Sequence, residues 1–317
     1  MTANALNPTY ADAMVRVTER AAVASETMVG RGDEKAADQA AVDAMRNALN
    51  EIEMQGRIVI GEGERDEAPM LYIGEEVGTG SGKEIDIALD PLEGTTLTAK
   101  AMPNALAVLA CAPRGGLLYA PDVYMDKIAI GPGYDKGIVD LDQSPADNAK
   151  ALAAAKGVDV KDLNVCVLDR PRHQEIIAQL REIGARIALI TDGDVAGVIN
   201  TTDPSTGIDM YMGSGGAPEG VLAAAALKCV GGQMQGRLLF RNDDERGRAE
   251  RTGVTDFDKK YDLHELCSDD AIFAATGVTT GGLLSGVKRT NGKIHTHSLV
   301  MSSFDGVVRT VHSTYPG

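Results

Sequence analysis

Asp90-Pro91-Leu92-Glu93-Gly94-Thr95-Thr96 follows the apolar run Ile85-Asp86-Ile87-Ala88-Leu89. The run reads as a buried strand, so two carboxylates and a hydroxyl sit on a tight turn at its end. Pro91 removes a backbone donor and Gly94 permits an unusual backbone angle. Such a turn can aim Asp90, Glu93 and Thr95 at one point. Acids that close repel one another unless a proton or cation lies between them. A divalent metal with oxygen ligands answers that need. The plainer alternative is a polar strand-to-loop turn.

Two further acids stand in comparable settings. Ile58-Val59-Ile60 is a short β-branched run leading into Gly61-Glu62-Gly63-Glu64-Arg65-Asp66-Glu67. Glycines on both sides of Glu62 suit a backbone shaped for a site, although an ordinary charged turn has the same composition. From Asp33 to Glu53 the pattern is helical, with Val42, Met45, Leu49 and Ile52 in one stripe. Asp38 lies one turn before Val42 and extends that stripe, which puts a carboxylate on the inward face. A buried carboxylate needs an Arg, a Lys or a metal as partner.

Composition narrows the classes. The chain has 317 residues, 44% hydrophobic, enough for one large domain or two ordinary ones. Its formal charge of −15, its 4% aromatic content and its lack of Trp argue against nucleic acid and anionic membranes as partners. A phosphorylated anion is still open to an acidic protein if metals invert the local charge. Cys111, Cys166, Cys229 and Cys267 are widely spaced, without a CxxC pair or zinc spacing, and read as reduced core residues. His295 and His297 share a strand face and read as a surface pair. No apolar run is long enough to cross a bilayer and no secretory leader is visible, so a soluble, cytoplasmic protein is expected.

Helical and strand patterns alternate along the chain. Helices are expected over about 10–29, 33–53, 146–156, 172–183, from 195 and over 218–228. Strands are expected near 57–60, 85–89, 105–112, within 119–130, and at 165–168, 187–190 and 208–212. The strand-helix rhythm of the second half predicts a mostly parallel sheet, and ligands of such sheets gather outside the strands' carboxyl ends. A polar stretch near 157 suggests a boundary between subdomains 1–157 and 158–317. The charged run 242–253 reads as a solvated loop or helix face.

Three loops in the second half follow strands. Asp169-Arg170-Pro171-Arg172-His173 could clamp a phosphate with two guanidiniums. Asp192-Gly193-Asp194 could accept hydrogen bonds from sugar hydroxyls, or Asp194 could cap a helix. Gly213-Ser214-Gly215-Gly216-Ala217-Pro218-Glu219-Gly220 could cradle an anion with backbone amides. It is neither a Walker motif nor a dinucleotide fingerprint.

With these residues in hand, the chain resembles the class II fructose-1,6-bisphosphatases of bacteria, within the lithium-sensitive sugar and inositol phosphatase superfamily. The resemblance covers nearly the whole chain. It rests on the Ala37-Asp38 helix, IGEGERDEAPMLYIGEEVG from Ile60, DPLEGTT from Asp90, APDVYM from Ala120, DRPRH from Asp169, TDGDVA from Thr191 and GGAPEG from Gly215. It implies an α/β, layered α-β-α-β-α sugar-phosphatase-like fold, with a mixed sheet in the N-terminal half. It implies Asp38 and Glu62 as ligands of one divalent metal, and Asp90, Glu93 and Glu219 as ligands of a second, the ions being Mn2+ or Mg2+. It implies substrate contacts at Glu93, Gly94 and Thr95, then Tyr124, Arg170, Pro171 and Arg172, Asp192, Gly193 and Asp194, and Gly216. Similar sequences often carry Lys where this chain has Glu34.

The implied reaction is hydrolysis of the 1-phosphate of fructose 1,6-bisphosphate in gluconeogenesis or Calvin-type metabolism. Thr95 or Asp66 would orient and deprotonate the attacking water, and Arg170 and Arg172 would hold the distal phosphate. Sedoheptulose 1,7-bisphosphate is the alternative substrate. From another class, a sugar-phosphate-binding regulator without activity would not need five metal ligands. At least a homodimer is expected, dimer or tetramer.

Overall fold

The computed structural model describes residues 6–63 and 70–317. In chain order the first stretch holds α1 (Pro8–Glu26), α2 (Glu34–Leu49), β1 (Met54–Ile60), β2 (Glu76–Val77), β3 (Lys83–Glu93), α3 (Thr95–Ala99) and β4 (Leu106–Pro113). The middle holds β5 (Tyr124–Ile130), α4 (Pro145–Lys156), β6 (Asn164–Leu168), α5 (Gln174–Glu182), β7 (Arg186–Ile190), α6 (Asp194–Ile199), β8 (Met210–Gly216), α7 (Ala217–Val230), β9 (Gln233–Leu239), α8 (Asp243–Arg251), β10 (Lys260–Asp262) and α9 (Leu263–Leu266). The last stretch holds β11 (Ile272–Gly277), β12 (Lys288–Thr290), β13 (Lys293–Ser302) and β14 (Val308–Pro316).

These elements form two compact units. The first joins residues 1–118 to 267–317, and the second is 119–266. The expected boundary at 157/158 falls inside the second unit. The reason is β5, which hydrogen-bonds between β8 and β9 and so belongs with the strands that follow it. The final strands return to the first unit, where β11 pairs with β4. A bridge between Leu117 and Cys267 marks where the chain leaves and re-enters.

The first unit is built on a mixed sheet with β1 and β3 parallel and β3, β4, β11 and β13 successively antiparallel. Helices α1 and α2 pack against it through Met14, Val17, Met45 and Leu49, which meet Ile85, Ile87 and Leu109 of the sheet in one core. Asp33 caps α2 by accepting from the backbone N–H of Ala36 at 3.0 Å. Val42, Met45 and Leu49 are buried as their spacing predicts, whereas Ile52 lies past the helix end.

The second unit holds the order β10-β9-β5-β8-β6-β7. β8, β6 and β7 are parallel, but β5 is antiparallel to both β8 and β9, and β9 to β10. The sheet is therefore mixed rather than mostly parallel. The strand-helix rhythm is real, because β8 and β9 do run the same way around the crossover helix α7. An antiparallel strand from earlier in the chain lies between them. Helix α7 is apolar on nearly every side and is buried along its length, from Ala217 to Cys229. The charged run 242–253 contains a true helix, α8, capped by Asn242 accepting from Glu245 N–H at 2.9 Å. All four cysteines are buried free thiols. No helix among the described residues is long and apolar enough to cross a membrane.

Candidate active site

In the first unit, strand direction gathers the acids. β1 and β3 are parallel, so the loop after Ile60 and the turn after Leu89 open at the same sheet edge. Glu62 is the second residue past β1, and its N–H donates to Leu71 O at 3.0 Å. Asp90 faces Val108 of β4 and Glu93 faces Leu106, so Pro91 and Leu92 sit in a bulge. The Asp90 Oδ1 accepts from Leu92 N–H at 3.0 Å, which closes the turn. Gly94 then takes φ +92°, and a Cβ there would lie 2.8 Å from Leu97 Cδ1. Glycine ends the strand and starts α3 in one step without the backbone strain another residue would carry there. Thr95 is thereby the first residue of α3, half-buried beside the buried Glu93.

Asp38 sits half-buried on α2, where burial raises its carboxyl above the usual carboxylate range. Burial, and then the negative charge of Asp38, pushes the Glu62 carboxyl up to about 8. The two half-buried acids thus lie near enough to repel, and both cannot ionise cheaply without a cation. Among the described residues no three His, Cys, Asp or Glu side chains are drawn together tightly enough to hold an ion by themselves. Asp66 lies outside the described residues.

In the second unit, one sheet edge collects the other expected residues. β6, β7, β8 and β9 all run the same way and β5 runs against them, so the carboxyl ends of four strands share an edge with the start of β5. Arg170, Pro171 and Arg172 follow β6. Asp192, Gly193 and Asp194 follow β7. Gly216 and Glu219 follow β8, and Tyr124 opens β5 opposite Gly216. Ligands of α/β sheets bind at such an edge.

Arg172 is fixed there. Its Nη2 and Nε donate to Ser214 O at 2.7 and 3.2 Å, Nε also to Ser214 Oγ at 3.0 Å, and its Cζ lies 4.9 Å from the Tyr124 ring centroid. The buried His173 holds this loop to β8. Ser214 N–H donates to His173 Nε2 at 2.8 Å, which leaves Nδ1 to donate to Leu168 O at 2.8 Å. Arg170 is half-buried and reaches back to Asp169 O at 3.4 Å, and Pro171 opens the short turn between them. Asp192 Oδ1 accepts from Gly193 N–H at 3.2 Å.

Asp194 does not cap α6; Gly193, at φ +80°, occupies the capping position. The Asp194 carboxylate is instead buried and receives Lys127 Nζ at 2.5 Å and Tyr211 O–H at 3.4 Å. Lys127 is 1% exposed and was not legible as a site residue, since it looks like any charge on an alternating strand. Glu219 packs against the same strand end, where a Cβ on Gly216 would fall 1.9 Å from its Oε2. That Oε2 is buried without a hydrogen-bond partner among the described residues. Burial, and then Asp194, raises the Glu219 carboxyl, against the pull of Lys127. An orphaned buried carboxylate oxygen is a fit for a hard cation.

The first unit thus brings the turns that carry Glu62, Asp90 and Glu93 to one sheet edge, and the second brings Arg170, Arg172 and Tyr124 to one of its own. The chain belongs to the family of bacterial, glpX-encoded fructose-1,6-bisphosphatases, whose model matches residues 8–315. A protein of Synechococcus sp. (strain JA-2-3B'a(2-13)), named D-fructose 1,6-bisphosphatase class 2/sedoheptulose 1,7-bisphosphatase, is 46% identical over 95% of this chain and 94% of its own. A protein of the same name from Synechococcus sp. (strain CC9605) is 45% identical over 97% of both chains. Among solved structures, the extragenic suppressor protein suhB of Bartonella henselae aligns over 62% of this chain and 75% of its own, at 15% identity and a TM-score of 0.34.

Proposed function

We propose that the protein hydrolyses the 1-phosphate of fructose 1,6-bisphosphate with a metal-activated water, giving fructose 6-phosphate and phosphate. The observation that carries the reading is the half-buried Asp38–Glu62 pair, near the N-terminal end of α2 and in the loop after β1, where the charge of one carboxyl acts on the other and burial raises both. Asp38 with Glu62, and Asp90 with Glu93, are the proposed ligands of divalent ions, Mn2+ or Mg2+, and Glu219 is the metal ligand proposed in the second unit. A divalent ion bound by such carboxylates neutralises phosphate oxygens and acidifies a bound water.

The chain's own groups do the rest. The turn Glu93-Gly94-Thr95 offers backbone N–H groups and one hydroxyl to the reacting phosphate. Thr95 Oγ1 or Asp66 orients and deprotonates the attacking water. Arg170 and Arg172, spaced by Pro171, hold the distal phosphate, with Tyr124 stacked on Arg172. Asp192, Gly193 and Asp194 meet the sugar hydroxyls, Asp194 being held in place by Lys127. Gly216 meets the substrate through its backbone, its missing side chain leaving room for the Glu219 carboxylate. The dual name of the relatives supports sedoheptulose 1,7-bisphosphate as a second substrate, since a longer sugar keeps both phosphates. A homo-oligomer, dimer or tetramer, belongs to the same proposal.

Two substitutions separate ligand from water-orienting group. Asp90→Asn removes a charged ligand and is expected to weaken Mn2+ binding as well as kcat. Thr95→Ala is expected to keep metal affinity and to lower kcat by about 10²–10⁴-fold, the usual worth of general acid-base assistance. Calorimetric Mn2+ titration beside rate measurement decides. Wild-type turnover in Thr95→Ala would remove Thr95 from the mechanism.

A further inference from the structure

We propose that Arg241 is a third cation of the distal-phosphate subsite and sets the enzyme's preference for substrates that carry that phosphate. The proposal rests on the reading that Arg170 and Arg172 bind the distal phosphate.

Arg241 stands two residues past the end of β9, at the edge where the loops after β6, β7 and β8 also open. Leu239, the last residue of β9, pairs with Tyr124. The Arg241 Cζ lies 4.9 Å from the Tyr124 ring centroid, the same distance as that of Arg172. One phenol ring thus orders two guanidiniums. Arg170, Arg172 and Arg241 stand at a single sheet edge in a chain with a formal charge of −15, Arg241 with Glu245 and Asp122 as its acidic neighbours.

The cap of α8 ties Arg241 down through Glu245. Glu245 is 1% exposed. Its Oε2 accepts from the Arg241 backbone N–H at 2.7 Å, and its Oε1 accepts from Arg241 Nε at 2.6 Å and faces Nη2 at 2.5 Å. Asn242 completes the cap by accepting from Glu245 N–H. The guanidinium is therefore gripped along its Nε–Nη2 side, and Nη1 is left for a ligand. A buried carboxylate that fixes both the main chain and the side chain of an exposed arginine removes the rotamer entropy that weakens a mobile cation at a phosphate. An ordinary surface ion pair would need neither the cap nor the stack on Tyr124.

The test compares Arg241→Ala, Arg241→Gln and Arg172→Ala with the unaltered enzyme. KM and kcat are measured for fructose 1,6-bisphosphate. Fructose 6-phosphate and fructose 1-phosphate are then measured as competitive inhibitors, and melting temperatures report folding. The expected result for both Arg241 variants is a KM raised about tenfold, the worth of a charge-assisted hydrogen bond at an exposed site, with kcat within about twofold. Inhibition by fructose 6-phosphate should weaken in step, whereas inhibition by fructose 1-phosphate, which lacks the distal phosphate, should hold. An unchanged KM in either folded variant overturns the proposal. Equal weakening of both inhibitors also overturns it, because Arg241 would then act on the whole site. If Arg172→Ala raises KM and the Arg241 variants do not, the distal subsite stands without Arg241. If Arg172→Ala leaves KM unchanged too, the subsite itself is misplaced.

Discussion

Glu62 shows how burial prepares a carboxylate for a metal. With its carboxyl raised from 4.5 to about 8, it is mostly protonated in the metal-free protein at neutral pH. An ion must displace that proton, so Mn2+ affinity should rise with pH until about 8 and then level. Calorimetry at pH 7 in two buffers of different ionisation enthalpy should show release approaching one proton per ion bound at this pair. Binding without proton release would contradict the assignment. In the metal-free state the sign for stability is the reverse, because the folded form holds the proton more tightly than the unfolded one. This group's contribution is then full below pH 4.5 and is lost as pH rises through about 8. At the same scale, Lys127→Met leaves the buried Asp194 carboxylate uncompensated and should cost about 3–5 kcal/mol in urea unfolding. Lys127→Met with Asp194→Asn should recover part of that loss, and additive losses would contradict the pairing. Asp38 was legible from helical spacing because inward positions recur every third or fourth residue. Lys127 and Arg241 were not, because their meaning comes from partners 67 residues away and from a helix cap.

At the scale of elements, the turn after β3 was the most legible part, since a strand followed by Pro, two acids and Gly admits few geometries. Its Gly94 carries the tightest demand. Gly94→Ala should cost about 1–2 kcal/mol for the left-handed backbone alone, and more as the new Cβ meets Leu97. Thermal unfolding measures this, and an unchanged midpoint would refute the strain argument. The mostly parallel second sheet was misread because rhythm reports strand direction but not what lies between neighbours. β5 precedes β8 by about eighty residues, and nothing local announces that it inserts there. Helix α8 had a readable start in Asn242-x-x-Glu245, a capping pattern masked by the density of charge after it.

At the scale of the molecule, the boundary was illegible for the same reason: strands at the end of the chain complete the sheet that opens it. Composition, in contrast, argued against nucleic acid and anionic membranes and kept a phosphorylated anion open. The match to a fructose-1,6-bisphosphatase family across residues 8–315 names a phosphorylated sugar of that kind. The account's central claim is that the acids at the first unit's sheet edge work through bound divalent metal on a sugar bisphosphate. Phosphate release from fructose 1,6-bisphosphate, followed in EDTA and again after Mn2+ or Mg2+ is returned, tests it most directly. The account predicts that turnover stops in chelator and recovers with the metal, yielding fructose 6-phosphate; full turnover in chelator would contradict it.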